Sequence, residues 1–118
     1  MKLGAQEQEM IERFAVWGQQ QDSVLAMVLT SSRTAPQAPI DVLSDYDLIL
    51  AVRDIHPFYV QRDWLGDFGP VLVVYRDPIR REKGFERFAY ITQYENGLKI
   101  DFSLWQVGLL QHMAAAPT

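Results

Sequence analysis

Two short apolar runs and the pair of acids between them constrain this chain more than any other feature. The first run is Val24-Leu25-Ala26-Met27-Val28-Leu29, which ends in the small hydroxyl residues Thr30-Ser31-Ser32. The second is Leu48-Ile49-Leu50-Ala51-Val52, opened by Asp45-Tyr46-Asp47. Short apolar runs bounded by polar residues read as buried strands. Successive strand side chains point to opposite faces, so Asp45 and Asp47 share one face, roughly 6–7 Å apart along the backbone. Two carboxylates beside a buried strand repel each other and are costly to desolvate. A divalent cation between them removes both problems. A hard cation such as Mg²⁺ takes oxygen ligands, and typically uses one or two protein carboxylates plus substrate phosphates. The stretch therefore reads as a metal–phosphate site.

A chain of 118 residues fits one domain, large enough to bury about two-thirds of the surface its unfolded form exposes. It has no cysteine, which excludes disulfides and thiolate metal sites, and its two histidines, His56 and His112, are too isolated for a histidine-rich centre. A net charge of −4 argues against a broad nucleic-acid footprint, which needs a basic surface. The first residues, Met1-Lys2-Leu3-Gly4-Ala5, lack the apolar core of a signal peptide. No apolar run approaches the ~20 residues that span a bilayer. The expectation is a cytoplasmic protein with no membrane contact.

Along the chain, Met10, Phe14 and Trp17 at spacings of four and three predict a helix from Ala5 to about Gln19. Val24 to Thr30 is expected as a buried strand, and Ser31 to Ser44, with Pro36 and Pro39, as a loop long enough to be functional. Asp45 to Arg53 is expected as a central strand. A weak helix signal lies between Phe58 and Phe68, and Val71 to Tyr75 is expected as another buried strand. Arg76 to Gly84 is expected as a charged connection whose basic residues form a solvated tip. Glu86 to Tyr94 is expected as a strand with Phe88, Tyr90, Thr92 and Tyr94 on one face. Asn96-Gly97 is the strongest short hairpin signal. It leads into a returning strand, Lys99 to Trp105, followed by a short helix from Gln106 to Met113.

The returning strand carries a third acid. In Lys99-Ile100-Asp101-Phe102-Ser103-Leu104, alternation puts Ile100, Phe102 and Leu104 on one face, and Asp101 and Ser103 on the other. An aspartate inside an otherwise apolar strand needs a partner or a metal. If this strand lies beside the Asp45–Asp47 strand, three carboxylates converge. Two divalent ions about 3.5–4 Å apart could then clamp an attacking and a leaving oxygen.

The run Ser32-Arg33-Thr34 … Ala38-Pro39 … Asp41 … Asp45-Tyr46-Asp47 resembles the nucleotidyltransferase domain of the aminoglycoside 6-adenylyltransferases, the streptomycin-modifying enzymes. Their pattern is Gly-Ser-Arg-Thr, a proline-containing loop, then Asp-Tyr-Asp. Trp64-Leu65 … Asp67-Phe68-Gly69 and Asn96-Gly97 … Lys99-Ile100-Asp101 are similar to the same family, so the likeness runs from Ala5 to Trp105. The resemblance implies an α+β polymerase-β-like nucleotidyltransferase fold, a mixed sheet of about five strands with helices packed on one face. It implies transfer of AMP from Mg-ATP to a hydroxyl of an aminoglycoside, with release of pyrophosphate. It also implies roles: Ser32 holding a terminal phosphate with Ser31 beside it, Arg33 meeting the triphosphate, Asp45 and Asp47 binding Mg²⁺, and Asp101 as a third metal ligand or the base for the hydroxyl proton.

Two departures from the family pattern carry consequences. Ser31 stands where the family has glycine, and a Cβ there is expected to weaken nucleotide binding if the turn is left-handed. Full-length relatives carry a further helical domain over the aminoglycoside, whereas residues 1–118 read as the nucleotidyltransferase domain by itself. An apolar patch is then expected around Trp105, Val107, Leu109, Leu110 and Met113, available to a second copy or a partner chain. Two alternatives stand beside this reading: a minimal nucleotidyltransferase acting on a protein or RNA, and a catalytically silent nucleotide-binding domain.

Overall fold

The computed structural model describes residues 5–31 and 45–115, with the side chains of residues 5–7, 30, 31 and 45 outside that description. Helix α1 (Ala5–Gln19) is followed by strands β1 (Val24–Ser31) and β2 (Asp45–Val52), then helix α2 (His56–Val60) and a 3₁₀ turn (Asp63–Phe68). Strands β3 (Val71–Arg76), β4 (Arg80–Glu82), β5 (Phe85–Tyr94) and β6 (Lys99–Gln106) come next, and helix α3 (Val107–Ala115) closes the described chain. The weak helical signal between Phe58 and Phe68 resolves into two short helical pieces. The charged connection after Arg76 contains the three-residue strand β4.

The sheet runs in the order β1-β2-β6-β5-β3, with β4 also paired to β5. All pairs are antiparallel except β2 and β6, which run parallel. The Asn96-Gly97 turn behaves as its sequence predicts. Gly97 has φ 93°, the Tyr94 N–H donates to the Leu98 carbonyl at 2.8 Å, and the Asn96 side chain accepts from the Leu98 N–H at 3.0 Å. A glycine takes that backbone conformation without the Cβ clash that other residues meet. This turn sets the β5–β6 register, and with it the position of Asp101 opposite Ile91.

One face of the sheet builds the core. Leu48, Leu50 and Val52 of β2, Ile100, Phe102 and Leu104 of β6, and Phe88, Tyr90 and Tyr94 of β5 are all buried there. Met10, Phe14 and Trp17 of α1, Phe58 of α2, and Leu65 and Phe68 of the 3₁₀ turn cover them. The helical stripe read from the sequence is thus core. Gly18 lets α1 close onto β1, since a Cβ there would stand 2.7 Å from the Met27 sulfur. On the other face, α3 folds back against the sheet. It buries Leu109 completely and sets Gly108 against the Phe85 ring.

Two expectations about burial are corrected. Strands β1 and β3 are not buried: they are the two ends of the main sheet order. Leu25 and Val28 of β1, and Leu72, Val73 and Tyr75 of β3, are exposed. An apolar run alone does not tell an edge strand from a central one, because both carry β-branched residues. Arg76 also leaves the expected solvated tip. Its guanidinium donates to the Tyr59 carbonyl at 3.0 Å and lies 4.0 Å from the Tyr59 ring centre, tying β3 to α2.

The core hydroxyls are anchored to backbone carbonyls of the covering segments. Tyr90 donates to the Tyr59 carbonyl at 2.7 Å and Tyr94 to the Leu65 carbonyl at 2.7 Å. Burial pushes the Tyr94 hydroxyl well above its usual 10.0; Arg13 opposes the rise and Asp67 adds to it. Tyr90 is raised as well, again by burial. The neutral tyrosine is therefore the form that the fold favours. That stability is fully present below the unfolded value near 10 and is lost as pH rises above it, because the unfolded chain releases its proton first. Tyr94→Phe is expected to cost about 1–2 kcal/mol at neutral pH through the lost hydrogen bond. It should also lose less stability than the wild type between pH 10 and 11, as read by denaturant unfolding at each pH.

Candidate functional site

The face of the sheet turned away from the main core holds the acids. Strands β2 and β6 pair in parallel, with Asp45 opposite Lys99, Tyr46 opposite Ile100, and Asp47 opposite Asp101. Tyr46 and Ile100 are buried toward the core. Asp47 and Asp101 stand on the other side of their strands, as register neighbours about 4.8 Å apart by the spacing of paired strands. Both are half-buried, and Oδ1 of Asp101 is closed off from solvent. Position 45 lies two residues before Asp47 in β2, so its backbone belongs to the same row of the ladder as Lys99.

Local sequence explains the placement. Each aspartate interrupts a strand whose alternate residues are large and apolar: Tyr46, Leu48 and Leu50 in β2, and Ile100, Phe102 and Leu104 in β6. Those residues can go only into the core, so the intervening acids must take the opposite face. A register slip of one residue in either strand would bury an acid and expose an aromatic, which pins the pairing.

Among the sequence-predicted site residues, the structure brings Asp47 and Asp101 together across one strand pair. Asp45 continues the row in the backbone; its side chain lies outside the described residues. Ser31 is the last residue of β1 and pairs with Tyr46, so its backbone is strand and not a left-handed turn. The strain expected of a Cβ at that position therefore does not arise there. Ser32 and Arg33 lie outside the described residues. Among the described residues, no three His, Asp or Glu side chains form a group able to hold a metal. The described part of the donor set is the Asp47–Asp101 pair, and Asp45 would be its third member. A pair of hard oxygen donors on adjacent strands fits Mg²⁺, which commonly takes one or two protein carboxylates and completes its shell with phosphate and water.

The structure adds a residue to which the sequence assigned no role. Lys99, two positions before Asp101 in β6, falls on the same face by strand alternation, is half-buried, and is in register with position 45. The alternation was legible in Lys99-Ile100-Asp101, but the neighbour across the ladder was not. A hollow of about 600 Å³, lined by Glu9, Glu12, Arg13, Trp17, Asp67 and Phe68 among others, lies instead between α1 and the 3₁₀ turn, on the helix-covered side. Asp67 there accepts a 2.9 Å hydrogen bond from the Trp17 indole, a contact that holds the 3₁₀ turn to α1.

The expected C-terminal apolar patch is only partly present. Leu109 is buried, Trp105, Val107 and Leu110 are half-buried, and Met113 is exposed. No helix among the described residues is long and apolar enough to cross a membrane.

Comparison with known proteins agrees with this architecture. The crystal structure of an aminoglycoside 6-adenyltransferase from Bacillus subtilis superposes with a TM-score of 0.70 at 23% identity, covering 94% of this chain and 38% of that one. The shared fold is the mixed α+β nucleotidyltransferase fold. In sequence, the chain is 30% identical over 102 residues to the aminoglycoside 6-adenylyltransferase of Bacillus subtilis, covering 83% of this chain and 36% of that protein. It is 28% identical over 104 residues to the enzyme of the same name from Staphylococcus aureus, with the same coverage of each. The chain thus spans a little over a third of the length of the curated relatives it matches. The family model described as streptomycin adenylyltransferase matches residues 5–118, and with its acids on paired parallel strands of the shared fold, the chain belongs to the streptomycin adenylyltransferase family.

Proposed function

We propose that this chain forms the nucleotide-handling unit of an aminoglycoside adenylyltransferase, moving AMP from Mg-ATP to a hydroxyl of an aminoglycoside such as streptomycin. The observation that carries the reading is the in-register pairing of Asp47 with Asp101 on the open face of the sheet, in a chain of this family. In the proposed reaction, the acceptor oxygen forms a bond to the α-phosphorus. The P–O bond to the β-phosphate breaks, and its electron pair leaves with pyrophosphate. Asp101 takes the hydroxyl proton. Asp45 and Asp47 would hold Mg²⁺, Asp101 would be the further carboxylate of the set, and Ser32 and Arg33 would receive the triphosphate. When bound, Mg²⁺ neutralises charge on the phosphates and polarises their oxygens. The residues of the chain do the rest: they position the reactants and keep a negative face toward a cationic acceptor. ATP as a substrate goes with a cytoplasmic location.

The test is pyrophosphate release by the purified chain in the presence of Mg-ATP, with and without streptomycin. Release is expected to depend on streptomycin and on Mg²⁺, and to be slow, because the chain spans only part of its relatives' length. Release that is indifferent to streptomycin but stimulated by a protein or RNA acceptor would overturn the choice of substrate. Failure to bind Mg-ATP at all would overturn the reading itself.

A further inference from the structure

We infer that Tyr75 and Ile91 form the platform on which the acceptor ring lies, with the Tyr75 ring meeting a cationic group of that acceptor; this rests on the adenylyltransferase reading above. The inference comes from one row of the sheet. Asp47 of β2 is opposite Asp101 of β6, Asp101 is opposite Ile91 of β5, and Ile91 is opposite Tyr75 of β3. Four positions thus cross four adjacent strands in register. Alternation turns the first three to the open face, because Tyr46, Leu48, Ile100, Phe102, Tyr90 and Thr92 on either side of them are buried. Tyr75 follows by the same rule: Val74 before it packs on the core, and Arg76 after it bonds to the Tyr59 carbonyl on the helix-covered side. Tyr75 is 57% exposed and Ile91 is half-buried. Helix α3 does not close this row, since it sets Gly108 against Phe85, at the far end of β5 from Ile91.

Order along the row assigns the occupant. In the proposed reaction Asp47 belongs to the metal and Asp101 takes the proton of the acceptor hydroxyl. An acceptor whose hydroxyl sits at Asp101 therefore approaches from the side of Ile91 and Tyr75. From β6 to β3 is two strand spacings, roughly 10 Å, a span that one ring with its substituents covers. The row passes from carboxylates to an aliphatic and then to an aromatic side chain. That order suits a polyhydroxylated ring with cationic substituents. The acids attract its charge, its C–H face rests on Ile91, and an ammonium or guanidinium group meets the π face of Tyr75.

Two rival accounts exist. Adenine could stack on Tyr75, or Tyr75 could belong to a protein contact along the β3 edge, where Leu72 and Val73 are also exposed. Calorimetric titration of the 118-residue chain with streptomycin, and separately with Mg-ATP, compares wild type with Tyr75→Ala, Tyr75→Leu and Tyr75→Phe. Light scattering follows the oligomeric state. Tyr75→Ala is expected to weaken streptomycin about tenfold and to leave Mg-ATP within about twofold. Tyr75→Leu should lose nearly as much, because it keeps an apolar side chain without a π face, and Tyr75→Phe should stay within about twofold of the wild type. Thermal melts check folding, and Tyr75→Leu carries the comparison if the alanine variant does not fold. Equal losses for streptomycin and Mg-ATP, or a loss for Mg-ATP alone, would overturn the inference in favour of adenine. Unchanged binding of both ligands in Tyr75→Ala or Tyr75→Leu would overturn it while sparing the reading it rests on. Unchanged streptomycin binding in an alanine variant that turns a self-associated wild type into a monomer would replace it with a protein contact. A wild type that binds Mg-ATP and not streptomycin would overturn the inference and leave the nucleotide site standing, and one that binds neither would overturn both.

Discussion

Asp47→Asn and Asp101→Asn should each lower Mg²⁺-dependent ATP affinity by about a hundredfold, and each should lose most of the thermal stabilisation that Mg-ATP gives the wild type. Asp47 and Asp101 are paired in register on parallel strands, on the face turned away from the core. Asparagine keeps the shape of each side chain and removes its charge. The same change removes an anionic oxygen that the cation needs, so the stabilisation gained on adding Mg²⁺ and ATP shrinks. Melting curves of wild type and variants, with chelator and then with Mg-ATP, read both arms. A variant that is less stable in both conditions, with unchanged nucleotide affinity, would mean that these aspartates serve the fold through hydrogen bonds and not a metal.

Phe102→Ala should cost about 3–5 kcal/mol of stability, a large part of the 5–15 kcal/mol typical of a domain. Phe102 is fully buried on the core face of β6. Its ring lies 4.9 Å from that of Trp64 and 5.5 Å from that of Phe68. Phe68 in turn stands 5.3 Å from Phe14 and 5.4 Å from Trp17. One side chain therefore joins the sheet to the 3₁₀ turn and, through it, to α1. Alanine would leave a cavity between three elements that cannot collapse together without moving the turn. Urea titration should show a lower midpoint with an unchanged slope. Phe102→Leu, which fills most of the space, should cost clearly less. Because Asp101 is the next residue in β6, partial loss of this packing should also loosen the acid pair and weaken Mg-ATP binding in Phe102→Ala.

Much of the fold was legible because local chemistry and burial agree. The Met10, Phe14, Trp17 stripe could be only a helix face, and the alternation from Phe88 to Tyr94 and from Ile100 to Leu104 could be only half-buried strands. The Asn96-Gly97 turn joined two of those strands with no tertiary information. The acids at Asp47 and Asp101 were visible as breaks in apolar alternation, since a charge there must have a reason. The edge character of β1 and β3 was not legible. Their runs carry the same Val, Leu and Met content as central strands, and what differs is which other strands the fold lays beside them. The short strand β4 was hidden in a charged segment whose pairing with β5 comes from the hairpin and not from its own pattern.

By itself, the sequence determined which side chains must be buried, which acids must face away from the core, and the family likeness that ties them to phosphate chemistry. Tertiary structure alone decided that β2 and β6 lie side by side in parallel. No local signal specifies a pairing between strands some fifty residues apart. It depends on packing both apolar faces under α1 and the 3₁₀ turn. That one pairing set Asp47 opposite Asp101 and put Lys99 in the row of Asp45, because once two strands share a buried face their register is fixed by the side chains on it.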